Sequence, residues 1–330
     1  ATLQGERPAG RMQALGSQLV SEDDHLCVLG ADECPLSPPD QPLEMGNSGT
    51  GIRLLTGLLA GQGLGATLTG DDSLRSRPMG RIIRPLSLMG VDIRAADGGR
   101  APLEILPAGR LRALRYEMPV ASAQLKSCLR LAGLGADGPI ELLEPAPSRD
   151  HTESMLRAYG VTLASEERAG ERWLRMEGGQ ALTGPQSLHV PGDFSSAAFF
   201  LVAGSIRPES DITLTNVGIN PMRTGLLDLL REMGAAINVL NPRESGGEPV
   251  ADLRVRSATL RGVDVDPGLV PLMIDEFPVA FIAAAVSEGV TRVRGAEELR
   301  VKESDRLAVM AEGLRTLGVE VTEREDGIDI

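Results

Sequence analysis

The feature that most constrains the fold of this chain is an internal repeat. In five places a short amphipathic helical pattern ends in a glycine and continues into an alternating, β-branched run. Glycine suits the end of a helix because a left-handed backbone costs a residue without Cβ little. The closing glycines are Gly16, Gly90, Gly160, Gly234 and Gly318, so the successive intervals are 74, 70, 74 and 84 residues. Solenoid repeats are usually about 20–50 residues long, so this period predicts a larger repeating unit.

A second helical segment recurs in each repeat and opens with a small polar residue. The four openings are Asn47, Ser122, Asp193 and Asp275, all of which are N-cap types. The segments after them are nearly apolar and rich in small residues, which predicts buried helices. Each repeat therefore reads helix, strand, helix, strand with extra strands between, which is an α/β arrangement. The alternative is a stacked-repeat scaffold that carries no chemistry.

The length of 330 residues predicts two domains, because it exceeds one ordinary hydrophobic core. The repeat pattern places the boundary near residues 185–191, where a charged stretch ends and the run SLHVPGDF begins. We expect a first lobe over residues 1–188, with one truncated and two full repeats. We expect a second lobe over residues 189–330, with two repeats of which the last is truncated.

Charge and cysteine usage exclude several classes of function. A net charge of −13 provides no field that would draw the chain to nucleic acid or to an anionic membrane, so any bound phosphate needs a local cationic pocket. Cys27, Cys34 and Cys128 form no CxxC motif and lie near no paired histidines, which predicts reduced thiols in a cytoplasmic protein without a zinc site. We expect no membrane span, because no apolar run approaches the required length.

Two predicted helix starts are suited to anions, because a helix start offers unpaired N–H groups and a positive dipole end. The segment NSGTGIR places Gly49 at such a start, where a ligand can approach the backbone. The segment ASAQLKS adds the side-chain donors of Ser122 and Gln124, although a simple capping function would also explain Ser122.

A dense arginine cluster lies in the segment SLRSRPMGR. Pro78 biases Arg77 toward extended backbone, which places its side chain at a helix mouth. For Arg81 and Arg84 we expect a solvated helix face. Arginines at a helix mouth can bind carboxylate or phosphate through two hydrogen bonds at once.

Two further segments admit two interpretations each, and a third favours a structural one. Asp275 and Glu276 interrupt an apolar run before Pro278, so they either cap a helix or act in a site. The run ELRVKESDRL is either a charged surface loop or a site that handles anions and protons. His151, in SRDHTESM, is typical of a capping or surface residue.

Taken together, these motifs resemble the family of 5-enolpyruvylshikimate-3-phosphate synthases. The resemblance covers essentially the whole chain and is carried, in order, by GNSGTGIR, SRPMGRIIRPLSLMGV, VASAQLKSCLRLAGL, SRDHTESML, VPGDFSSAAFFLVA, NPMRTGLLDLLREMGA, GGEPVADLRVR, MIDEFP and ELRVKESDRL. The SAQ-K-S and RDHTE forms are similar to the second class of that family, in which glyphosate-tolerant members occur.

The resemblance implies a fold and raises a question of completeness. The expected fold is α/β (α+β), a two-lobed inverse α/β barrel of the enolpyruvyl transferase type built from βαβαββ repeats. Six repeats of about 74 residues would need roughly 440 residues, more than this chain has. The family's GDKSISHR-like and DHRIAM-like motifs are also absent. We therefore expect the chain to be incomplete at both ends and to show little turnover alone.

The resemblance also implies the reaction and its residues. The activity would be transfer of the enolpyruvyl group of phosphoenolpyruvate to the 5-hydroxyl of shikimate 3-phosphate with release of phosphate, a step toward chorismate and the aromatic amino acids. The catalytic residues would be Asp275 as the base at the hydroxyl, Glu303 as the acid at the methylene carbon, and Lys302. Shikimate 3-phosphate would be bound by Ser122, Ala123, Gln124, Arg149, Asp275 and Lys302. Phosphoenolpyruvate would be bound by Gly49, Arg77, Gln124 and Arg306, with Lys302 close to both substrates. Glyphosate occupies the phosphoenolpyruvate site in this family.

The resemblance implies no metal and no organic cofactor, small-molecule substrates as the only partners, and a monomer. The first alternative is a truncated form that binds shikimate 3-phosphate or a partner without turnover. The second is the related UDP-N-acetylglucosamine enolpyruvyl transferase, whose functional cysteine lies in a mobile loop. None of the three cysteines of this chain lies in such a context.

Overall fold

A computed structural model describes residues 9–22, 25–30, 35–168, 171–184, 187–301 and 304–330. The chain forms two compact units. The first unit comprises Ala1–Ser148 and Tyr159–Gly184, and the second unit comprises Arg149–Ala158 and Pro185–Ile330. These units are defined by contacts between residues. The division of the chain into two lobes at residues 188 and 189 therefore stays a prediction.

The first unit contains a helical turn at residues 9–14, four helices and ten strands among its described residues. The helices are α1 Gly49–Gly61, α2 Asp72–Ser76, α3 Gly80–Leu88 and α4 Ala123–Gly133. The strands are β1 Leu19–Glu22, β2 His25–Val28, β3 Leu43–Glu44, β4 Ala66–Thr69, β5 Ile93–Ala96, β6 Arg100–Ile105, β7 Leu114–Glu117, β8 Ile140–Leu143, β9 Leu163–Arg168 and β10 Glu171–Met176.

The second unit contains five α-helices, two 3₁₀ turns and six strands among its described residues. The helices are α5 His151–Ala158, α6 Phe194–Ile206, α7 Gly225–Glu232, α8 Phe277–Ala285 and α9 Arg306–Thr316, and the 3₁₀ turns are Pro267–Leu272 and Glu297–Val301. The strands are β11 Asp211–Gly218, β12 Ala236–Ser245, β13 Glu248–Arg256, β14 Arg292–Val293, β15 Thr322–Arg324 and β16 Gly327–Asp329.

One strand order recurs in four sheets and accounts for the repeat in the sequence. The orders are β3-β4-β6-β5, β7-β8-β10-β9, β11-β13-β12 and β14-β16-β15. In the first two sheets the leading pair is parallel and the remaining pairs are antiparallel. In the last two sheets the leading strand is reduced to an isolated parallel bridge, Gly192 with Val217 and Asp264 with Arg292. Each repeat is therefore a βαβαββ unit, in which each parallel pair is joined through a helix, as parallel pairing requires.

The five closing glycines occupy the backbone conformation predicted for them. Their φ angles are 90°, 101°, 84°, 94° and 84° from Gly16 to Gly318. An L-residue with a side chain rarely adopts this region, which explains why the same residue closes each helix.

The predicted helix starts are confirmed at two of four positions. Ser122 and Asp193 are N-caps whose side chains accept from the backbone N–H three residues later. The N-cap of α1 is Ser48 rather than Asn47, and the N-cap of α8 is Glu276 rather than Asp275. Asn47 and Asp275 are instead bonded to arginine side chains, which satisfy their oxygens outside the helix ends.

The burial predicted for the apolar helices holds for α1, α4 and α8, whose residues are largely buried. Helix α6 differs, because Phe199 and Phe200 are 62% and 56% exposed. The core of the second unit forms where the other faces of α6 and α8 meet α7 and strand β13. None of the described helices is long and apolar enough to cross a membrane.

Candidate functional site

Helices α1 and α4 pack so closely in the first unit that glycine is required between them. A Cβ at Gly57 would overlap the Cys128 carbonyl, and one at Gly61 would lie 2.8 Å from the Leu131 carbonyl oxygen. Four residues further along α1, the contact has moved three to four residues along α4 in the same direction, to Leu131 and Ala132, so the helices run parallel. Their N-terminal ends therefore lie side by side, which places two positive dipole ends at one spot.

At the start of α1 two arginine side chains flank a glycine. Ser48 caps the helix by accepting from the Gly51 N–H at 3.0 Å. A Cβ added at Gly49 would lie 3.0 Å from Nη1 of Arg53 and 3.0 Å from Nη1 of Arg77. Nη2 of Arg77 donates to Asn47 Oδ1 at 2.5 Å. The Arg77 side chain thus lies at a helix mouth, as the sequence predicts.

The carboxamide of Gln124 is held at both ends across the two helices. Its Oε1 accepts from Arg53 Nη1 at 2.8 Å, and its Nε2 donates to Thr50 Oγ1 at 2.7 Å. The same Arg53 nitrogen donates to the Gly49 carbonyl at 3.0 Å. These contacts fix the orientation of the amide, so its remaining N–H and its remaining lone pair point in defined directions.

The start of α4 is bordered by another arginine. Ser122 is the N-cap, and its Oγ accepts from the Leu125 N–H at 3.4 Å and from Arg81 Nη1 at 3.4 Å. Ala123 is the first residue of the helix. Arg81 is exposed, as expected for a solvated face, but its guanidinium reaches this helix start, which the sequence did not predict.

The cations at these helix starts repel one another. Burial lowers the pKa of Arg53, and the charges of Arg81 and Arg77 lower it further. A bound anion would relieve this repulsion, because an opposite charge within a few ångströms favours the charged form. The site is therefore electrostatically prepared for a small phosphate or carboxylate.

The second unit holds a separate cluster around Asp275. Oδ2 of Asp275 accepts from Arg149 Nη2 at 2.7 Å, and Oδ1 accepts from Arg306 Nη1 at 3.4 Å. Arg306 also donates to the Ile274 carbonyl at 3.1 Å. Burial would raise the pKa of Asp275, but the two arginines outweigh it and hold that pKa below its usual range. Asp275 is thus an ionised carboxylate, about a third exposed, directed by two cations.

The arginines of this cluster come from helix starts. Arg149 lies two residues before α5, and Arg306 is the first residue of α9. Asp305 caps α9 by accepting from the Ala308 N–H at 3.0 Å. Lys302 and Glu303, the other two residues predicted to act here, lie outside the described residues.

A family profile described as "EPSP synthase (3-phosphoshikimate 1-carboxyvinyltransferase)" matches residues 8–330. The chain belongs to the EPSP synthase family. It is 59% identical over 295 residues to the 3-phosphoshikimate 1-carboxyvinyltransferase of Alkalilimnicola ehrlichii, an alignment that covers 89% of this chain and 65% of that protein. It is 56% identical over 317 residues to the enzyme of the same name from Acidithiobacillus ferrooxidans, covering 96% and 71%.

The fold expected from the family resemblance is confirmed by solved EPSP synthase structures. The EPSP synthase of Acinetobacter baumannii, in a structure at 2.37 Å, superimposes with a TM-score of 0.89 at 45% sequence identity. The match covers 98% of this chain and 73% of that one. The chain thus spans about two thirds to three quarters of the length of these EPSP synthases.

The described residues predicted for the EPSP synthase site fall into two groups. The first unit brings together Gly49, Arg77, Ser122, Ala123 and Gln124. The second unit brings together Arg149, Asp275 and Arg306. The residues expected at phosphoenolpyruvate are therefore divided between the units, with only Arg306 in the second.

Sequence reasoning missed Arg53, although it ends the NSGTGIR motif. The signal that would have found it is its spacing, since a residue four positions after Gly49 faces the same side of the helix. In the sequence, Glu276 stands out only as half of an acidic pair. Its buried contacts with Ser195 and Arg223 depend on segments far apart in sequence, which no local pattern reveals.

Proposed function

We propose that the protein transfers the enolpyruvyl group of phosphoenolpyruvate to the 5-hydroxyl of shikimate 3-phosphate and releases phosphate. The observation that carries this proposal is the paired start of α1 and α4, where Gly49, Arg53, Arg77 and Gln124 converge. Backbone N–H groups, two guanidiniums and an oriented amide match a small anion that bears a phosphate and a carboxylate.

The proposed chemistry begins with addition of the alcohol to the double bond. Asp275 takes the proton of the 5-hydroxyl as its oxygen bonds to C2 of phosphoenolpyruvate. Glu303 delivers a proton to the methylene carbon C3 in the same addition. The bond from C2 to the phosphate oxygen then breaks and phosphate leaves, C3 returns a proton to the Glu303 carboxylate, and the double bond between C2 and C3 re-forms in the product.

The charge on Asp275 suits the base in this scheme. Because Arg149 and Arg306 hold its pKa below the usual range, the carboxylate is ionised at neutral pH and can accept a proton, although the lower pKa makes it a weaker base than an ordinary aspartate. Arg149 donates to the same carboxylate, which supports its assignment to shikimate 3-phosphate beside the base. Arg306 and Lys302 supply further positive charge for the phosphates in this proposal.

The remaining assignments complete the proposal. Ser122, Ala123 and Gln124 at the start of α4 hold shikimate 3-phosphate, with the exposed guanidinium of Arg81 beside them. The monomeric state and the cytoplasmic location stay predictions from the family resemblance and the cysteine usage.

The test is release of inorganic phosphate by the protein expressed from its complete reading frame. We expect release only when phosphoenolpyruvate and shikimate 3-phosphate are both present. Asp275→Asn should lower kcat by about 10²–10⁴-fold, because a general base contributes that much in the transition state. Asp264→Asn is the matched control, since Asp264 is exposed and pairs only at the surface with Arg292.

Two outcomes would contradict the proposal. One is binding of shikimate 3-phosphate without phosphate release, which would favour a binding protein. The other is release that requires UDP-N-acetylglucosamine in place of shikimate 3-phosphate. The 330-residue chain assayed alone should release little phosphate, and turnover equal to that of the complete reading frame would refute that expectation.

A further inference from the structure

A second carboxylate lies directly beside Asp275 and is fully enclosed. The side chain of Glu276 is 0% exposed, whereas that of Asp275 is 36% exposed. Adjacent in sequence, the two side chains point to different surroundings. Asp275 meets Arg149 and Arg306, while Glu276 enters the interior of the second unit.

Glu276 is held by groups from two distant segments. Its Oε1 accepts a hydrogen bond from the hydroxyl of Ser195 and lies 3.7 Å from Nη2 of Arg223. That guanidinium also donates to Ser195 Oγ and lies 3.6 Å from Oδ1 of Asp193. The start of α6, the turn before α7 and the start of α8 therefore converge on one carboxylate.

An ordinary capping function does not explain this residue. Glu276 is the N-cap of α8, yet its side chain makes no capping hydrogen bond. Its Oε2 and the Nε of Arg223 are buried and have no hydrogen-bond partner among the described residues. Burying incompletely paired polar groups is unfavourable, so the chain maintains this cluster against a cost in stability.

The cluster fixes one side of the turn that carries Asp275. Arg306 holds the other side through its hydrogen bond to the Ile274 carbonyl. Asp275 is thus the single residue between two anchored neighbours. The direction of its carboxylate is set by the backbone on both sides as well as by Arg149.

We propose that Glu276 is a positioning residue for the reaction, anchored by Ser195 and Arg223 so that the turn presents the Asp275 carboxylate to the substrate hydroxyl. This inference rests on the proposed function, in which Asp275 is the base. A misplacement of about 1 Å can lower a rate by about 100-fold, so an anchor one residue away has a large effect on turnover.

The surroundings of the two carboxyls support separate tasks. Burial raises the pKa of Glu276, and the neighbouring charge of Asp275 raises it further, although Ser195 and Arg223 oppose this. The pKa of Asp275 is held low by its arginines. Among the described residues, the charged groups that act on this pair are Arg149 before α5, Arg223 before α7 and Arg306 at α9, and Asp193 at the start of α6 lies 3.6 Å from Arg223.

The experiment compares four variants of the protein expressed from its complete reading frame, measured by phosphate release and by a carboxyl NMR titration of Asp275. Glu276→Ala should lower kcat by about 10- to 100-fold with little change in KM for shikimate 3-phosphate. The pKa of Asp275 should rise toward its usual value, because the displaced carboxylate would form a weaker hydrogen bond with Arg149. Glu276→Gln should restore most of the lost kcat, since its amide oxygen still accepts from Ser195. Glu312→Gln, an exposed position on α9, is the matched control.

Ser195→Ala is the fourth variant and decides the matter if Glu276→Ala does not fold. It removes the hydroxyl anchor and leaves the carboxylate and Arg223 in place, so we expect a smaller loss of kcat and the same direction of pKa change. A purely structural role would lower the melting temperature but leave kcat per folded site and the pKa of Asp275 unmoved, and that result would overturn the proposal. Equal losses in Glu276→Gln and Glu276→Ala would also overturn it. Absence of phosphate release by the wild type would instead refute the proposed function.

Discussion

Arg53 offers a sharp test of the site in the first unit, because one of its nitrogens serves two acceptors. Nη1 donates to Gln124 Oε1 at 2.8 Å and to the Gly49 carbonyl at 3.0 Å. A hydrogen bond from a charged donor is worth about 1.5–3 kcal/mol. If binding of phosphoenolpyruvate depends on the amide that Arg53 orients, Arg53→Met should raise its KM by about 10- to 150-fold. Of the two described partners of the Gln124 amide, Thr50 would then remain, bonded to its nitrogen.

The assay is steady-state phosphate release at varied phosphoenolpyruvate and saturating shikimate 3-phosphate. We expect kcat to change less than KM, because the arginine contributes to binding in the ground state as well as in the transition state. Arg53→Lys keeps the charge but not the planar fork, so its KM should fall between those of Arg53→Met and the wild type. Arg94→Met, which removes an exposed arginine 3.5 Å from Glu104, should leave KM within about twofold. A wild-type KM in a folded Arg53→Met variant would refute the reasoning.

The remaining predictions concern charge, space and stability. Arg149→Gln should raise the pKa of Asp275, so that the carboxylate protonates at a higher pH than in the wild type. A carboxyl NMR titration measures this pKa. An unchanged pKa would contradict the explanation that Arg149 lowers it. Gly49→Ala should raise KM for phosphoenolpyruvate, because a Cβ would lie 3.0 Å from two guanidiniums, and should raise the ratio of the glyphosate inhibition constant to that KM. The control is Gly313→Ala, since Gly313 has open space around it. A ratio that does not rise would show that Gly49 does not face the site that glyphosate and phosphoenolpyruvate share. Lys126→Met should destabilise the first unit by about 3–5 kcal/mol, because it breaks a buried ion pair with Glu144 at 3.3 Å. Urea unfolding followed by the fluorescence of the single tryptophan measures this change in the free energy of unfolding. A loss below about 1 kcal/mol is typical of a surface ion pair and would contradict the prediction.

The repeat and its helix ends could be predicted because their causes are local. A glycine at a helix C-terminus and alternating β-branched residues after it leave few conformations open, and all five glycines adopt the expected positive φ. The βαβαββ topology came from the family resemblance, and the strand order within each sheet comes from the structure. The family resemblance then supplied the groups around Gly49, Gln124 and Asp275.

The parts that could not be predicted depend on contacts between distant segments. Asn47 and Ser48 are both good N-caps, and the choice of Ser48 is decided by Arg77, 30 residues away, which binds Asn47. Asp275 and Glu276 are equally acidic in sequence. The structure distinguishes them through distant partners: Arg149 bonds to Asp275, whereas Ser195 bonds to the enclosed Glu276.

The path of the chain has a consequence for its synthesis on the ribosome. Helix α5 is made between strands β8 and β9 of the first unit, but it belongs to the second unit. There, Asp150 accepts from Asn220, and the backbone of Ser154 lies against Gly247, just before β13. At about 5–20 residues per second, the 90 residues from Ala158 to Glu248 take about 5–18 seconds to emerge. A helix of eight residues is not stable alone in water, so we expect α5 to stay unfolded during this interval. Strands β8 and β9–β10 on either side of it can pair in the meantime. A gene cut between the codons for Gly184 and Pro185 would for the same reason yield a downstream product that lacks one of its own helices.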